Sequence, residues 1–136
     1  VRAVLDTNVL ISALLSSTGS PARALLAWQQ GHFELIVSPQ LLAEMKRALA
    51  YPKLRRRIPA DEAESVIEWL GRAATVAPDP KTPPPVHSAD PADDYLLALA
   101  AIERAMLVSG DEHLLVFHDR LPIHSPASFL TLLGGE

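Results

Sequence analysis

Short apolar runs alternate with helical stretches along the whole chain, and this alternation narrows the fold more than any other feature. Val1 to Leu5 is aliphatic and β-branched, as a strand buried in a parallel sheet would be. Val9 to Leu15 is an apolar helical stretch, broken at Ser16 to Gly19. Ser20-Pro21 reads as a helix cap followed by proline at the first helical position, and that helix stops near Gly31. Phe33 to Val37 is a second strand. Ser38-Pro39 repeats the helix-start chemistry, and its helix carries Leu41, Leu42, Met45 and Leu49 before ending at Tyr51-Pro52. Asp61 to Arg72 is amphipathic, with Ala63, Val66, Ile67 and Leu70 on one face. Ala74 to Ala77 fits a short strand, and five prolines between Pro78 and Ala89 mark a surface loop. Asp90-Pro91 opens a helix through Arg104 that is apolar nearly all round, hence buried. Met106 to Ser109 is a strand, Gly110-Asp111 a turn into a short helix, Pro122 to His124 an edge strand, and Ser125-Pro126 the start of a last helix through Leu133. The pattern predicts an α/β fold with a mainly parallel sheet.

The chain has 136 residues, enough for one domain over residues 1–136 with a core of its own. It contains no cysteine, which excludes disulfides and thiolate zinc sites and fits a cytoplasmic setting. No apolar run approaches the roughly 20 residues of a membrane span. The apolar opening segment is not a signal-peptide core, since Asp6 lies inside it. A net charge of −4 gives no general support to nucleic-acid binding, so a local patch would have to supply it.

In parallel sheets, sites form at the carboxyl ends of strands. Asp6 follows the first strand directly, Asp111 follows the Met106 strand, and Asp93 and Asp94 lie in the first turn of the buried helix before it. Glu44 sits at the border of the buried face of its helix, beside Leu41 and Ala48. None of Asp6, Asp93, Asp94 and Asp111 has a basic neighbour in sequence. Singly, each is an ordinary turn, cap or surface acid. Gathered together they would repel unless a cation lay between them, and oxygen donors without His or Cys suit Mg²⁺ or Mn²⁺.

The stretches carrying these acids resemble the motifs of PIN domains. Val4 to Ser12 resembles the first motif, Ser38-Pro39 leading to Glu44 the second, Asp90 to Ala100 the third, and Val108 to Leu115 the fourth. Ser109 stands where the fourth motif more often has Thr, and keeps the hydroxyl. The resemblance spans the whole chain and is nearest to the VapC-like toxins of bacterial toxin–antitoxin pairs. It implies a three-layer α/β/α fold and a Mg²⁺- or Mn²⁺-dependent endoribonuclease, often a homodimer, neutralised by a small antitoxin protein. It also implies an acidic site of Asp6, Glu44, Asp93 or Asp94, and Asp111. Asp6, Asp93 or Asp94, and Asp111 would be the metal ligands. Asn8 would support Asp6, and Ser109 the fourth motif. Asp93 and Asp94 differ by one helical step, and Asp93 is the favoured ligand.

Lys46, Arg47, Lys53, Arg55, Arg56 and Arg57 form the basic cluster, open to three readings: RNA phosphate contact, an antitoxin dock, or a solvated helix end. The five histidines lack the spacing of paired metal ligands, and Trp28 and Trp69 are expected in the core or at a dimer contact. Two alternatives compete: a haloacid-dehalogenase-type phosphatase, disfavoured because Asn8 replaces its second aspartate, and a non-catalytic PIN-like binding domain, disfavoured by the complete acid set.

Overall fold

The computed structural model describes residues 1–134 and contains strands β1 (Arg2–Leu5), β2 (Glu34–Val37), β3 (Thr75–Val76), β4 (Met106–Val108) and β5 (Ile123–His124). The single-domain expectation runs to residue 136, and its last two residues lie outside those described. The strands form one sheet in the order β3-β2-β1-β4-β5, and every pairing is parallel. Leu35, Ile36 and Val37 are buried side by side, as a strand covered on both faces requires. Each such residue contributes roughly 1.5–3 kcal/mol by leaving water.

The helices are α1 (Thr7–Leu15), α2 (Ser20–Gln29), α3 (Pro39–Leu49), α4 (Pro52–Arg55), α5 (Ala60–Ala73), α6 (Asp94–Ile102), α7 (Glu112–Leu115) and α8 (Pro126–Leu132). Helix α1 packs on α2 and α3, α3 on α5, and α2 on α8, which makes one helical layer. Helix α6 packs on β1 and β4 instead. The return from β3 to β4 reverses the direction of travel across the sheet, so a right-handed crossover puts α6 on the opposite face. The result is the expected three-layer α/β/α fold. No single helix among the described residues is long and apolar enough to cross a membrane.

Several helix starts follow the expected chemistry. Ser38 and Ser125 accept hydrogen bonds from the backbone N–H groups of Leu41 and Ser128, at 3.3 and 3.1 Å. Gly31 closes the turn after α2 in the left-handed region, at φ +82°. Three local readings are corrected. Gly19, not Ser20, caps α2, so Pro21 falls one place deeper. The helix expected from Asp90 to Arg104 divides into a 3₁₀ turn (Pro91–Asp93) and α6. Asp90 holds that tight turn by accepting from Ala92 N–H at 3.1 Å. The basic stretch also contains α4, a single turn too short to show periodicity.

The proline-rich loop is tied down at both ends. Asp79 accepts from the Gln40 N–H at 3.0 Å, and Asp94 accepts from the Ser88 N–H at 2.8 Å. The sheet changes direction between β1 and β4, where Leu5 pairs with Val108. The residues that follow those two strands therefore emerge side by side. Open parallel sheets bind their ligands at such a switch point.

Candidate metal centre

Asp6 leaves β1 at this switch point. Its N–H donates to Val108 O at 2.9 Å, and its carbonyl starts α1 by accepting from Val9 and Leu10. These bonds fix the backbone, and the side chain is buried at 6% exposure. The Ser109 hydroxyl donates to Asp6 Oδ2 at 2.7 Å and accepts from the Asp111 N–H at 3.0 Å. One serine thus joins the residues following β1 and β4. Burial raises the Asp6 carboxyl above its ordinary value. The Ser109 hydroxyl and the N–H groups of Asn8 and Thr7 oppose the rise, and the Asp111 charge adds to it. The Asn8 side chain itself is exposed, so Asn8 acts on Asp6 through its backbone.

Asp93 and Asp94 separate cleanly. The Asp94 carboxylate binds the His87 Nδ1 and the Ser88 N–H, both at 2.8 Å, and these partners hold its pKa below the ordinary range. It anchors the proline-rich loop. Asp93 turns the other way. Burial pushes its carboxyl up to about 7, helped by a hydrogen bond to Asp111 and by the charges of Asp6, Asp111 and Asp90. Among the described residues, the buried side-chain polar atoms left without a hydrogen-bond partner are Asp93 Oδ2 and Thr7 Oγ1. Each such orphan costs about 1–3 kcal/mol unless something binds it.

The tightest donor group is Asp93, Asp111 and His113, whose ligand atoms all lie within 4.8 Å of one another. Asp6 lies beside this group and feels Asp111, and Asp93 feels Asp6. Glu44 stands further off. Its Oε2 accepts from the Tyr95 hydroxyl at 2.6 Å, across the gap between α3 and α6. Burial and the Glu44 carboxylate together hold the Tyr95 phenol above the usual tyrosine range, so it stays a donor. Asp6, Asp93 and Asp111 thus come together, Glu44 joins through Tyr95, and Asp94 faces the loop. The unpartnered Asp93 oxygen and a set of mostly hard oxygen donors fit a divalent cation.

Tyr95 and His113 were not singled out among the sequence candidates. Tyr95 follows the acid pair directly, but its partner is 51 residues away. Tyr95→Phe should destabilise the protein by about 1.5–3 kcal/mol, the range for a hydrogen bond to a charged group. Urea melts of Tyr95→Phe, Glu44→Gln and the double variant should be non-additive by roughly 1 kcal/mol. Additive melts would show that the pair is not coupled.

A cavity of about 500 Å³ lies at the other end of the sheet, among Arg2, Leu97, Met106, Leu121 and Ile123. No acid lines it, so it does not suit metal-assisted phosphate chemistry.

The family model described as PIN domain matches residues 2–113, from the start of β1 through His113. This chain belongs to the PIN-domain family. A curated relative is an uncharacterized protein of Methanocaldococcus jannaschii, 28% identical over 119 residues. The match covers 88% of this chain and 76% of that protein. PIN domains are generally nucleases that use divalent metals, so family and acid cluster point to hydrolysis of nucleic acid. The phosphatase alternative loses its support.

The basic cluster has a structural role as well as charge. Arg57 donates to Leu15 O at the end of α1 at 3.0 Å, and Arg55 to Leu49 O at the end of α3 at 3.3 Å. Both satisfy carbonyls that a helix leaves open at its C-terminus. Arg56 donates to Pro52 O at 3.3 Å. Trp28 and Trp69 pack against each other with ring centroids 5.1 Å apart, half-buried between α2 and α5.

Proposed function

We propose that this PIN domain is a metal-dependent endoribonuclease and the toxin of a type II toxin–antitoxin pair. One observation carries the metal-dependent hydrolase: Asp93 keeps a buried oxygen without a partner while its carboxyl feels Asp111 and Asp6, which follow β4 and β1. Ribonucleic acid as substrate, the antitoxin and a homodimer rest on the resemblance to VapC-like toxins.

A bound Mg²⁺ or Mn²⁺ would neutralise phosphoryl oxygens and lower the pKa of water to the neutral range. Asp6, Asp93 and Asp111 are the residues that would hold it. Ser109 fixes the Asp6 rotamer by its 2.7 Å hydrogen bond, so that oxygen cannot turn away. The Asp93 carboxyl is raised to about 7 by burial and by its acidic neighbours, so a bound cation would favour its ionised form. Glu44, held by Tyr95, borders the cleft and can accept a proton from water attacking the phosphodiester. The phosphate backbone would track outward over Arg55, Arg56 and Arg57, which no carboxylate neutralises among the described residues. The same surface suits an acidic antitoxin segment.

The test is cleavage of a panel of single-stranded RNA and DNA oligonucleotides by the purified protein with EDTA, Mg²⁺ or Mn²⁺. The expected result is RNA cleavage that depends on the metal and stops with EDTA. Cleavage of DNA alone, or none with any ion, would overturn the ribonuclease reading. The gene beside this one, expressed together with it, should suppress the cleavage if it encodes an antitoxin.

A further inference from the structure

The acid motifs account for oxygen donors only, yet the tightest group at the centre includes a nitrogen donor. We propose that His113 is a ligand of the metal held by Asp93 and Asp111, and that this imidazole makes the site select divalent first-row transition ions over Mg²⁺. The inference rests on the metal-dependent reading above.

Four features place His113 there. Its ligand atom lies within 4.8 Å of those of Asp93 and Asp111, and its Nδ1 is 3.5 Å from Asp111 Oδ1. Donors on one ion at bonds of roughly 2.1 Å lie up to roughly 4.2 Å apart, so a small inward movement closes the set. The backbone is already fixed for it: His113 N–H donates to Asp111 Oδ1 at 2.9 Å, and Ser88 Oγ donates to His113 O at 3.5 Å. The side chain is 58% exposed, so the ring swings without disturbing the core. In the same group, the Asp93 carboxylate keeps one oxygen, Oδ2, buried with no hydrogen-bond partner. A cation held by this carboxylate and the imidazole would give both groups a partner.

The chemistry then decides which cation. Mg²⁺ prefers oxygen, keeps its waters and gains little from an imidazole. First-row transition ions bind imidazole more strongly, in the order Mn²⁺ below Fe²⁺ below Co²⁺. An oxygen-only site discriminates weakly between Mg²⁺ and Mn²⁺. A site with one nitrogen favours Mn²⁺, and Co²⁺ more so. Asp6, which feels the Asp111 charge, would add a further oxygen from the β1 side, and His113 would add the nitrogen.

The experiment is direct metal binding to the metal-free protein, wild type beside His113→Ala, His113→Asp and Asp111→Asn. Titration calorimetry reads the affinity for Mg²⁺, Mn²⁺ and Co²⁺, and pulsed electron paramagnetic resonance of the Mn²⁺ form reads nitrogen coupling. Wild type should show a directly bound nitrogen. His113→Ala should lose that signal. Its affinity should fall on the order of 10- to 100-fold for Co²⁺, less for Mn²⁺ and least for Mg²⁺. His113→Asp should recover Mg²⁺ binding without the nitrogen signal. Bound Mn²⁺ with no nitrogen coupling, or a signal that survives His113→Ala, overturns the assignment of His113 while the metal centre stands. If wild type binds none of the three ions, the metal-dependent reading falls as well. Asp111→Asn separates these cases, because it should weaken all three ions together.

Discussion

Asp6→Asn, Asp93→Asn and Asp111→Asn will each lower metal-dependent RNA cleavage by roughly 10³-fold, the scale of losing one preorganised charge contact at a reacting centre. Asp94→Asn will not. The contrast comes from what each carboxylate already binds. Asp94 holds His87 with one oxygen and the Ser88 N–H with the other, at 2.8 Å each, which turns it toward the loop and away from Asp111. Its variant loses a charged acceptor and should be destabilised by about 1–3 kcal/mol, with less than a tenfold change in cleavage at saturating metal. Asp93 keeps a buried oxygen unpartnered, and Asp6 sits against Ser109 in the same cleft. Asparagine at either position conserves volume, so loss of activity with a normal melt separates chemistry from folding. Single-turnover cleavage and thermal melts on the four variants decide it. An Asp94→Asn protein as dead as Asp93→Asn would move the ligand to Asp94, and near wild-type cleavage by Asp6→Asn would remove Asp6 from the site.

What was legible in the sequence depended on how local its cause is. The strand–helix alternation sits within windows of about ten residues, and so do the serine caps before Pro39 and Pro126. These are legible locally, with strand ends off by a residue at Phe33 and at Ser109, although the Ser109 N–H still donates to His124 O at 3.0 Å. The positions of Asp6 and Asp111 at strand ends follow from the same local pattern. Choosing between Asp93 and Asp94 does not. That choice is made by the proline-rich loop folding back so that His87 and Ser88 take Asp94, and nothing in the Asp93-Asp94 pair announces it. Tyr95 likewise has its meaning set by Glu44, 51 residues away. His113 is not legible as a ligand because no second histidine lies one helical turn away; its neighbours are two aspartates, one of them in the 3₁₀ turn before α6. In the sequence the arginine cluster shows only as a basic stretch. Its hydrogen bonds to the ends of α1 and α3 depend on the fold bringing residue 57 to residue 15.

The second large effect is on stability. Without metal, the protein should become less stable as pH rises from about 4 to 7, and added Mn²⁺ should reverse the loss. Asp93 carries most of this. Its carboxyl is raised from an ordinary 3.8 to about 7 in the folded protein, so the folded state holds a proton that the unfolded chain has released. Wherever the folded state binds more protons, stability falls with rising pH. The favourable contribution is therefore complete below pH 4, is lost between about 4 and 7, and is absent above. Asp6, also raised, acts in the same direction. His124 acts oppositely, since burial lowers its pKa and its stabilising neutral form is lost as pH falls below the ordinary 6.5. Comparison with Asp93→Asn cancels His124 and isolates the cluster. With the carboxyl partly exposed and screened, the difference should be about 1–2 kcal/mol, a few degrees in Tm between pH 5 and pH 7.5. At pH 7.5, Mn²⁺ at a hundred times its Kd should add roughly 2.7 kcal/mol to wild type, because it binds only the folded state. Asp93→Asn should be the more stable protein in EDTA at pH 7.5, and should gain little from Mn²⁺. Thermal melts of both proteins, in EDTA and in Mn²⁺ at the two pH values, read all of this. If wild type shows the same pH slope as Asp93→Asn and both respond equally to Mn²⁺, the carboxylates do not crowd one cleft, and the cation does not bind among them.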